Sequence, residues 1–420
     1  MVNEELNCDI AIIGAGPAGS LAAWQAAQDK SEISICVFEE HPQIGWPPHC
    51  SGLVSWEGFL NLGLKKSDLN NRLIQNTIRR AKFISPDNNC VEIDRGPDSM
   101  VVLDRPALDS FFANRAKNRG CELKLGHRVQ KISRNGVTWD LQISHKKEKK
   151  KYNSTLVIIA EGVHAKLSSS MGLPVPDKKW LFPAIQHEYD RVEDIESDCV
   201  ELFFGRRYAP GFFGWFIPLN ETSARVGIAI NRMFSGKAKM FMKTFLKKHP
   251  LIHNRIKNSQ ISATFGGYVS GTGPVKETYK TNIMVVGDAA GQSKATTGGG
   301  VNIGGYCGRL AGLIASRIIT EKITTTQGCQ EYQKEWKARF EPELSILKLL
   351  RRIMTPLTDD SWNEIVQIAQ KTDLGERLKT TDIDLHGSSI IKYALTPQVF
   401  IKGISLVPHS VVSLLRGFTS

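Results

Sequence analysis

A short apolar run, Cys8 to Ile13 (CDIAII), breaks into the glycine turn GAGPAG at residues 14–19 and resumes as Leu21 to Gln28, rich in Ala and Leu. That order reads as strand, tight turn and helix, the opening unit of a Rossmann-like α/β fold. Gly14 permits the turn, Gly16 lets a pyrophosphate approach the backbone, and Gly19 lets the helix pack closely on the strand. The unpaired N–H groups and partial positive charge of the helix N-terminus then face the phosphates. A lone glycine turn of this kind is weak evidence. Its context adds weight, because Ile33 to Phe38 (ISICVF) predicts a second parallel strand that ends in Glu39 and Glu40, with Glu39 lying 20 residues beyond Gly19. An acid at that strand end accepts hydrogen bonds from ribose hydroxyls, which completes a dinucleotide-binding pattern.

A distant segment points to FAD as that dinucleotide. Thr281 to Val286 (TNIMVV) forms a predicted strand leading into GDAAGQSKATTGGGVNIGGYCGRLAG. Asp288 at the end of this strand is placed to accept from a ribityl hydroxyl, and Gly298, Gly299 and Gly300 open the next helix toward the flavin ring. A helix N-terminus beside the pyrimidine edge stabilises the negative charge of reduced flavin.

The remaining composition narrows the class. Lys and Arg number 54 against 42 Asp and Glu, a net charge of +12. Basic proteins attract polyanions, but the chain shows no basic helix, zinc-finger spacing or aromatic RNA-binding strand, so nucleic acid is not expected. An anionic membrane surface suits the charge better, and His145 to Lys151 (HKKEKKK) reads as a solvated turn. Eight cysteines are scattered without a CxxC pair, which argues against a metal site. With no signal-peptide pattern and no apolar stretch of roughly 18 residues, the expectation is a cytoplasmic protein, peripheral on the inner face of the cell membrane.

Taken in order, GAGPAG, the acidic strand end, IGWPPHCSG, LDRPALD, and GDAAG with TTGGG resemble the geranylgeranyl reductase family (digeranylgeranylglycerophospholipid reductase-like) over roughly residues 8 to 320. That family belongs to the p-hydroxybenzoate hydroxylase superfamily, so GAGPAG and GDAAG alone specify only the larger group. Two further segments carry the narrower likeness. Ile44 to Ser55 (IGWPPHCSGLVS) resembles the family segment lying against the flavin, and Pro210 to Ala229 (PGFFGWFIPLNETSARVGIA) resembles its YxWxFP motif followed by GxG. Ile217 and Ala229 depart from that second pattern, as Ala295 does from a Pro in many relatives.

The resemblance implies a role for each matching position. Ala18, Cys50, Ser51, Gly52, Arg105, Val129 and Val301 join the FAD site, and Phe213, Trp215 and Pro218 line the prenyl pocket. Arg105 in VVLDRPALD precedes a predicted helix from Ala107 to Asn118. A cation there opposes the helix dipole and needs an anionic partner, which also favours the FAD contact. Two roles are open to Cys50 besides inertness: proton donor, or partner of Cys307, which follows the TTGGG helix start. Glu161–Gly162 occupies the place of an Asp–Gly pair that the hydroxylase relatives link to nicotinamide use, so reduced ferredoxin and NAD(P)H both remain as electron donors.

The expected organisation is a discontinuous FAD-binding domain (1–75, 97–175, 280–325), an interleaved antiparallel-sheet substrate domain (76–96, 176–279) and a C-terminal helical region (326–420). Strands are predicted at Ile78 to Ser85, Val91 to Asp94, Ile185 to Tyr189, Val200 to Phe204, Gly214 to Pro218, Arg225 to Ile230 and Ile261 to Tyr268, with a hairpin from Val137 to Ser144 and Lys151 to Ile159. Leu344 to Met354 and Trp362 to Ala369 show helical spacing. The apolar stretch Ile390 to Phe418, with Arg351, Arg352, Lys392, Lys402 and Arg416, is a helical cap or a surface resting on anionic lipid.

The activity implied by the resemblance is saturation of C=C bonds in geranylgeranyl chains of membrane lipid precursors, with hydride from reduced flavin reaching one alkene carbon and a proton the other. An isolated alkene is not polarised, so the protein must supply orientation, exclusion of water and a proton. An aromatic hydroxylase or halogenase shares both flavin motifs, and an electron-transfer flavoprotein to quinone also suits a basic surface.

Overall fold

The computed structural model describes residues 6–28, 32–65, 68, 72–321 and 323–394. The N-terminal apolar run is the strand Leu6–Ile13, one of five parallel strands in the order Ile283–Val285, Glu148–Ile159, Leu6–Ile13, Ile35–Glu39, Glu122–Leu125. Ile10, Ile12, Leu156 and Ile158 have no exposed surface. Strands covered on both faces read as continuous apolar runs rather than alternations, which is why IAII and LVII are uninterrupted. The expected hairpin is present as Thr138–His145 paired with Glu148–Ile159, and Arg128–Asn135 extends it to a meander. Its turn is only Lys146 and Lys147, both with positive φ; the rest of the basic run lies within strand.

The helix Pro17–Ala26 follows the glycine turn, and the helix Val301–Thr320 lies across it. Close approach depends on missing side chains: a Cβ at Gly308 would sit 2.1 Å from the Ala18 carbonyl oxygen, and one at Gly312 would sit 2.1 Å from that of Ala22. The spacing of small residues in GGYCGRLAG thus brings the second glycine motif against the first.

All seven strands predicted for the second sheet are found there, in the order Gln260–Ser270, Leu181–Asp190, Ser223–Ala229, Gly214–Pro218, Cys199–Phe203, Arg80–Ile84, Cys90–Asp94. One pairing differs from the antiparallel expectation, since Cys199–Phe203 runs parallel to Arg80–Ile84. The chain leaves for the first sheet after Asp94 and returns only at Leu181, so no hairpin sets that direction. Ile78 belongs instead to Ile74–Ile78, which joins Leu53–Ser55 and Met100–Leu103 in a small third sheet.

Helices follow, at Thr325–Met354, Asp359–Gln370, Leu374–Lys379 and Gly387–Ala394. Tyr332, Trp336, Phe340, Leu344 and Leu347, spaced by three and four, form the buried stripe of the first. Arg351, expected on a lipid-facing surface, is instead fully buried. Pro397, Lys402, Pro408, Arg416 and the rest of the apolar stretch after Ala394 lie outside the described residues.

Candidate functional site

A cavity of about 1410 Å³ runs between the two large sheets. Single-ligand pockets span roughly 300–1,000 Å³, so this one exceeds what one ordinary ligand fills. At one end lie the glycine turn, Glu39 and Val129; in the middle are Cys50, Arg105, Asp288 and Gly298 to Val301; at the other end are Phe213, Trp215 and their aromatic neighbours. Two expected residues do not line it. Gly52 is turned toward the third sheet, where a Cβ would lie 2.3 Å from the Leu103 carbonyl oxygen, and Pro218 is buried with its carbonyl accepting from Asn76 Nδ2 at 3.0 Å.

The residues at the first end suit a dinucleotide. Gly14 has φ of +101°, and a Cβ there would meet the Ala160 carbonyl oxygen at 2.4 Å; at Gly19 it would meet that of Gly14 at 2.0 Å. At Gly16, the N-cap of the helix Pro17–Ala26, it would meet nothing within 4 Å, so this backbone is bare toward the cavity. Glu39 accepts from Ala15 N at 2.9 Å and from His41 N at 2.9 Å, which holds its carboxylate at the rim of the turn. Gly300 caps the helix Val301–Thr320 with no side-chain cap, leaving those N–H groups free for a ligand. Burial raises the Asp288 carboxyl above its ordinary value beside them.

Arg105 does not precede its helix; it is the first residue of Arg105–Lys117, after the Asp104 N-cap, which accepts from Ala107 N at 2.9 Å. Its anionic partner is internal, Asp109 at 3.1 Å. Its positive charge also acts on the Cys50 side chain, whose sulfur accepts from Gly52 N at 3.4 Å. Cys307 lies elsewhere, fully buried in the core of the helix pair, and burial drives its thiol pKa up; Cys50 and Cys307 are both free thiols, so the alternative of a bond between them is overturned. Glu161 caps the helix Lys166–Ser170, accepting from Leu167 N and Ser168 N at 2.7 Å each.

Several further contacts that organise the site involve residues to which the motifs assign no role. Arg225, 5% exposed, donates to Glu188 Oε1 at 2.7 Å, Gln75 Oε1 at 2.8 Å and the Ser51 carbonyl at 2.7 Å, tying the second sheet to the Cys50 segment. His49 Nδ1 faces the Gly266 carbonyl at 2.9 Å and therefore carries the proton. Trp215 Nε1 donates to Gln186 Oε1 at 2.8 Å, which orients the indole at the aromatic end. Arg351 donates to carbonyls of Ala295, Thr296 and Gly211, and its guanidinium lies 4.1 Å from the Phe212 ring centre. Burial lowers its pKa to about 9.

The C-terminal segment closes the aromatic end with Leu378, Thr381, Ile383, His386 and Ile390. Asp384 reaches back to Lys294 Nζ at 2.6 Å and Asn302 Nδ2 at 2.8 Å and accepts from Ser55 Oγ. His386 Nδ1 donates to the Ile383 carbonyl at 2.9 Å, so its Nε2 accepts from the Thr296 hydroxyl at 3.2 Å. Burial holds this imidazole neutral. Lys294 and Thr296 sit inside the flavin-side motif, but Asp384 and His386, in the turn-like DIDLH, gave no sign of facing it.

Residues 181–269 match the family described as geranylgeranyl reductase catalytic domain, and residues 12–47 match an NAD(P)-binding Rossmann-like domain. The chain is homologous to digeranylgeranylglycerophospholipid reductase 2 of Methanopyrus kandleri, 28% identical over 89% of this chain and 93% of that protein. A digeranylgeranylglycerophospholipid reductase of Methanocaldococcus jannaschii is 29% identical over 90% and 94%. Among solved structures, a geranylgeranyl bacteriochlorophyll reductase-like protein of Thermoplasma acidophilum superposes with a TM-score of 0.84 at 23% identity, covering 96% of this chain and all of that one. The flavin-dependent brominase Bmp2 shares the fold at a TM-score of 0.70 and 17% identity.

Proposed function

We propose that this homologue of the digeranylgeranylglycerophospholipid reductases binds FAD and saturates C=C bonds in geranylgeranyl chains of membrane lipid precursors. The observation that carries the reading is the continuity of the cavity, in which a glycine-lined, helix-capped trough passes directly into an aromatic chamber. A compact aromatic substrate would call for convergent polar groups, whereas Phe204, Phe212, Phe213, Trp215 and Ile217 present apolar surface to whatever lies there.

A bound flavin supplies the hydride. The chain's own residues do the rest. Gly14, Gly16, Ala18 and Gly19 hold the pyrophosphate against the first helix, and Glu39 holds the ribose. Val129 offers backbone groups to the adenine. Asp288 takes the ribityl side, and the Gly298 to Val301 turn brings the N–H groups of Gly300 and Val301 to the pyrimidine edge, those of Gly298 and Gly299 being bonded to Lys294 and Thr297. Phe213 and Trp215 fix the hydrocarbon chain by contact, and Trp215 is itself held by Gln186. The C-terminal segment excludes water from the aromatic end. Cys50, which lines the cavity within the field of the Arg105 charge, would release a proton toward the second alkene carbon. Reduced ferredoxin or NAD(P)H is the electron source, and an anionic membrane the surface from which substrate is drawn. No helix among the described residues is long and apolar enough to cross a membrane.

Anaerobic incubation of dithionite-reduced holoprotein with a geranylgeranylated glycerophospholipid tests this directly. Product heavier by two hydrogens per alkene is expected. Unreacted lipid, together with oxygen-dependent turnover of a small aromatic, would replace the reductase with the hydroxylase alternative.

A further inference from the structure

Between Arg232 and Lys257 the chain carries eight Lys and Arg residues and no Asp or Glu, against a net charge of +12 for the whole sequence. This stretch folds as a turn at Arg232–Lys237 and two helices, Ala238–Lys248 and Pro250–Ile256. Ala238, Met242, Phe245, Ile252 and Ile256 bury one side of it against the second sheet. The opposite arc of the longer helix exposes Lys239, Met240, Lys243, Lys247 and Lys248. Arg255 is paired inward with Glu201 at 2.8 Å, but among the described residues none of Lys237, Lys239, Lys243, Lys247, Lys248 and Lys257 forms an ion pair.

Large apolar side chains are interleaved with these charges. Met233 is 79% exposed, Met240 50% and Leu251 36%. A cluster of unpaired like charges repels itself and is favoured by an external anion. Lysines beside exposed Met and Leu suit a lipid surface in particular, since their stems lie along apolar matter while the ammonium groups reach the headgroups. Protein partners select differently: interfaces are enriched in Arg and aromatic residues and depleted in Lys. Here six of the eight cations are Lys, and one of the two Arg is already engaged. The face also adjoins the cavity, because the Arg232 guanidinium lies 5.7 Å from the ring centre of Tyr268, which lines the cavity and is 39% exposed.

We propose that the Arg232–Lys257 face seats the protein on an anionic bilayer, with Met233, Met240 and Leu251 entering the headgroup layer and the cavity rim at Tyr268 brought to the lipid. The proposal rests on the reductase reading only in that the substrate is a membrane lipid, and the test separates the two.

Full-length holoprotein is sedimented with phosphatidylcholine vesicles, with and without phosphatidylglycerol, over a range of salt. Binding only to the anionic vesicles, reversed by salt, is expected. Each basic residue near such a surface is worth about fivefold in partitioning, so K239E/K243E/K247E should lower it by about a hundredfold or more. M233S/M240S should release at lower salt than the wild type. The three lysines lie on an exposed helical arc, so an unchanged melting temperature and unchanged turnover of lipid dispersed in detergent are expected of the triple variant. Vesicle binding by that variant equal to wild type overturns the proposal. So does binding to heparin or to an acidic carrier protein without binding to vesicles. Absence of wild-type turnover in detergent alongside salt-sensitive vesicle binding would sink the reductase reading while leaving the docking face intact.

Discussion

Asp384→Asn strikes the point where the C-terminal segment is fastened to the flavin-side loop. Asp384 and Lys294 are each 10% exposed at the side chain and meet at 2.6 Å. Losing one partner of such a pair leaves a buried charge uncompensated, which costs roughly 3–5 kcal/mol. The asparagine oxygen can still accept from Ser55 or Lys294, so the lower end, about 3 kcal/mol, is expected. Replacing both partners by apolar side chains is often close to neutral, and K294M/D384L should therefore fall within about 2 kcal/mol of wild type. Urea unfolding of the holoprotein, followed by tryptophan fluorescence across D384L, K294M and the double variant, measures the coupling, which should exceed roughly 2 kcal/mol. Proteolysis of segment 371–394 should also accelerate in Asp384→Asn. Burial raises the Asp384 carboxyl, but Lys294 and the hydrogen bonds from Lys294, Ser55 and Asn302 outweigh it and hold it below the usual carboxylate range. A lowered folded-state value means that this stabilisation is present above about pH 4 and is lost as the pH falls through the folded pKa. Single-variant losses that sum to the double-variant loss within about 0.5 kcal/mol would refute the account.

Other outcomes follow from the same geometry. Gly19→Val would drive a side chain into the Gly14 carbonyl, which a Cβ already approaches to 2.0 Å, so the variant should purify without yellow colour even after FAD is added. Cys50→Ser should lower turnover at least tenfold if the thiol delivers the proton, general acids being worth about 10²–10⁴-fold, whereas unchanged turnover removes Cys50 from the chemistry. His249 is 2% exposed, and burial, with Arg255 and Arg207 adding to it, lowers its pKa from 6.5 to about 4. The unfolded chain then binds the extra proton between those values, so the wild type should lose roughly 3 kcal/mol as the pH falls from 6.5 to 4. His249→Phe, in a pocket already lined by Phe203 and Phe245, should flatten that limb of an acid-unfolding curve.

Much of the fold was legible because its signals are local. The glycine turn with its flanking strands, the seven short strands of the second sheet and the reductase family likeness all agree with the structure and with the relatives it matches. The helix expected from Ala107 begins at Arg105, because the Asp104 side chain caps it and a proline, Pro106, is tolerated in a first turn. Of the two readings of the Arg351 region, a helical cap or a lipid-facing surface, the structure excludes the second for Arg351 itself, which the carbonyls of three remote residues and two aromatic rings enclose.

Along the chain itself, neighbours within a few residues determine where a turn can form and which face of a strand or helix is apolar, since φ/ψ sterics and side-chain period act over that range. This set the dinucleotide turn, the alternation of elements and the buried stripe of the long helix. Which surfaces then meet is decided only on folding. That step turned Gly52 and Pro218 away from the cavity, left Cys307 buried in the core, and carried Asp384 and His386 from beyond the last recognisable motif to the wall of the site. Packing of distant elements selects such contacts, and no local preference in DIDLH encodes the Lys294 or Thr296 that they find there.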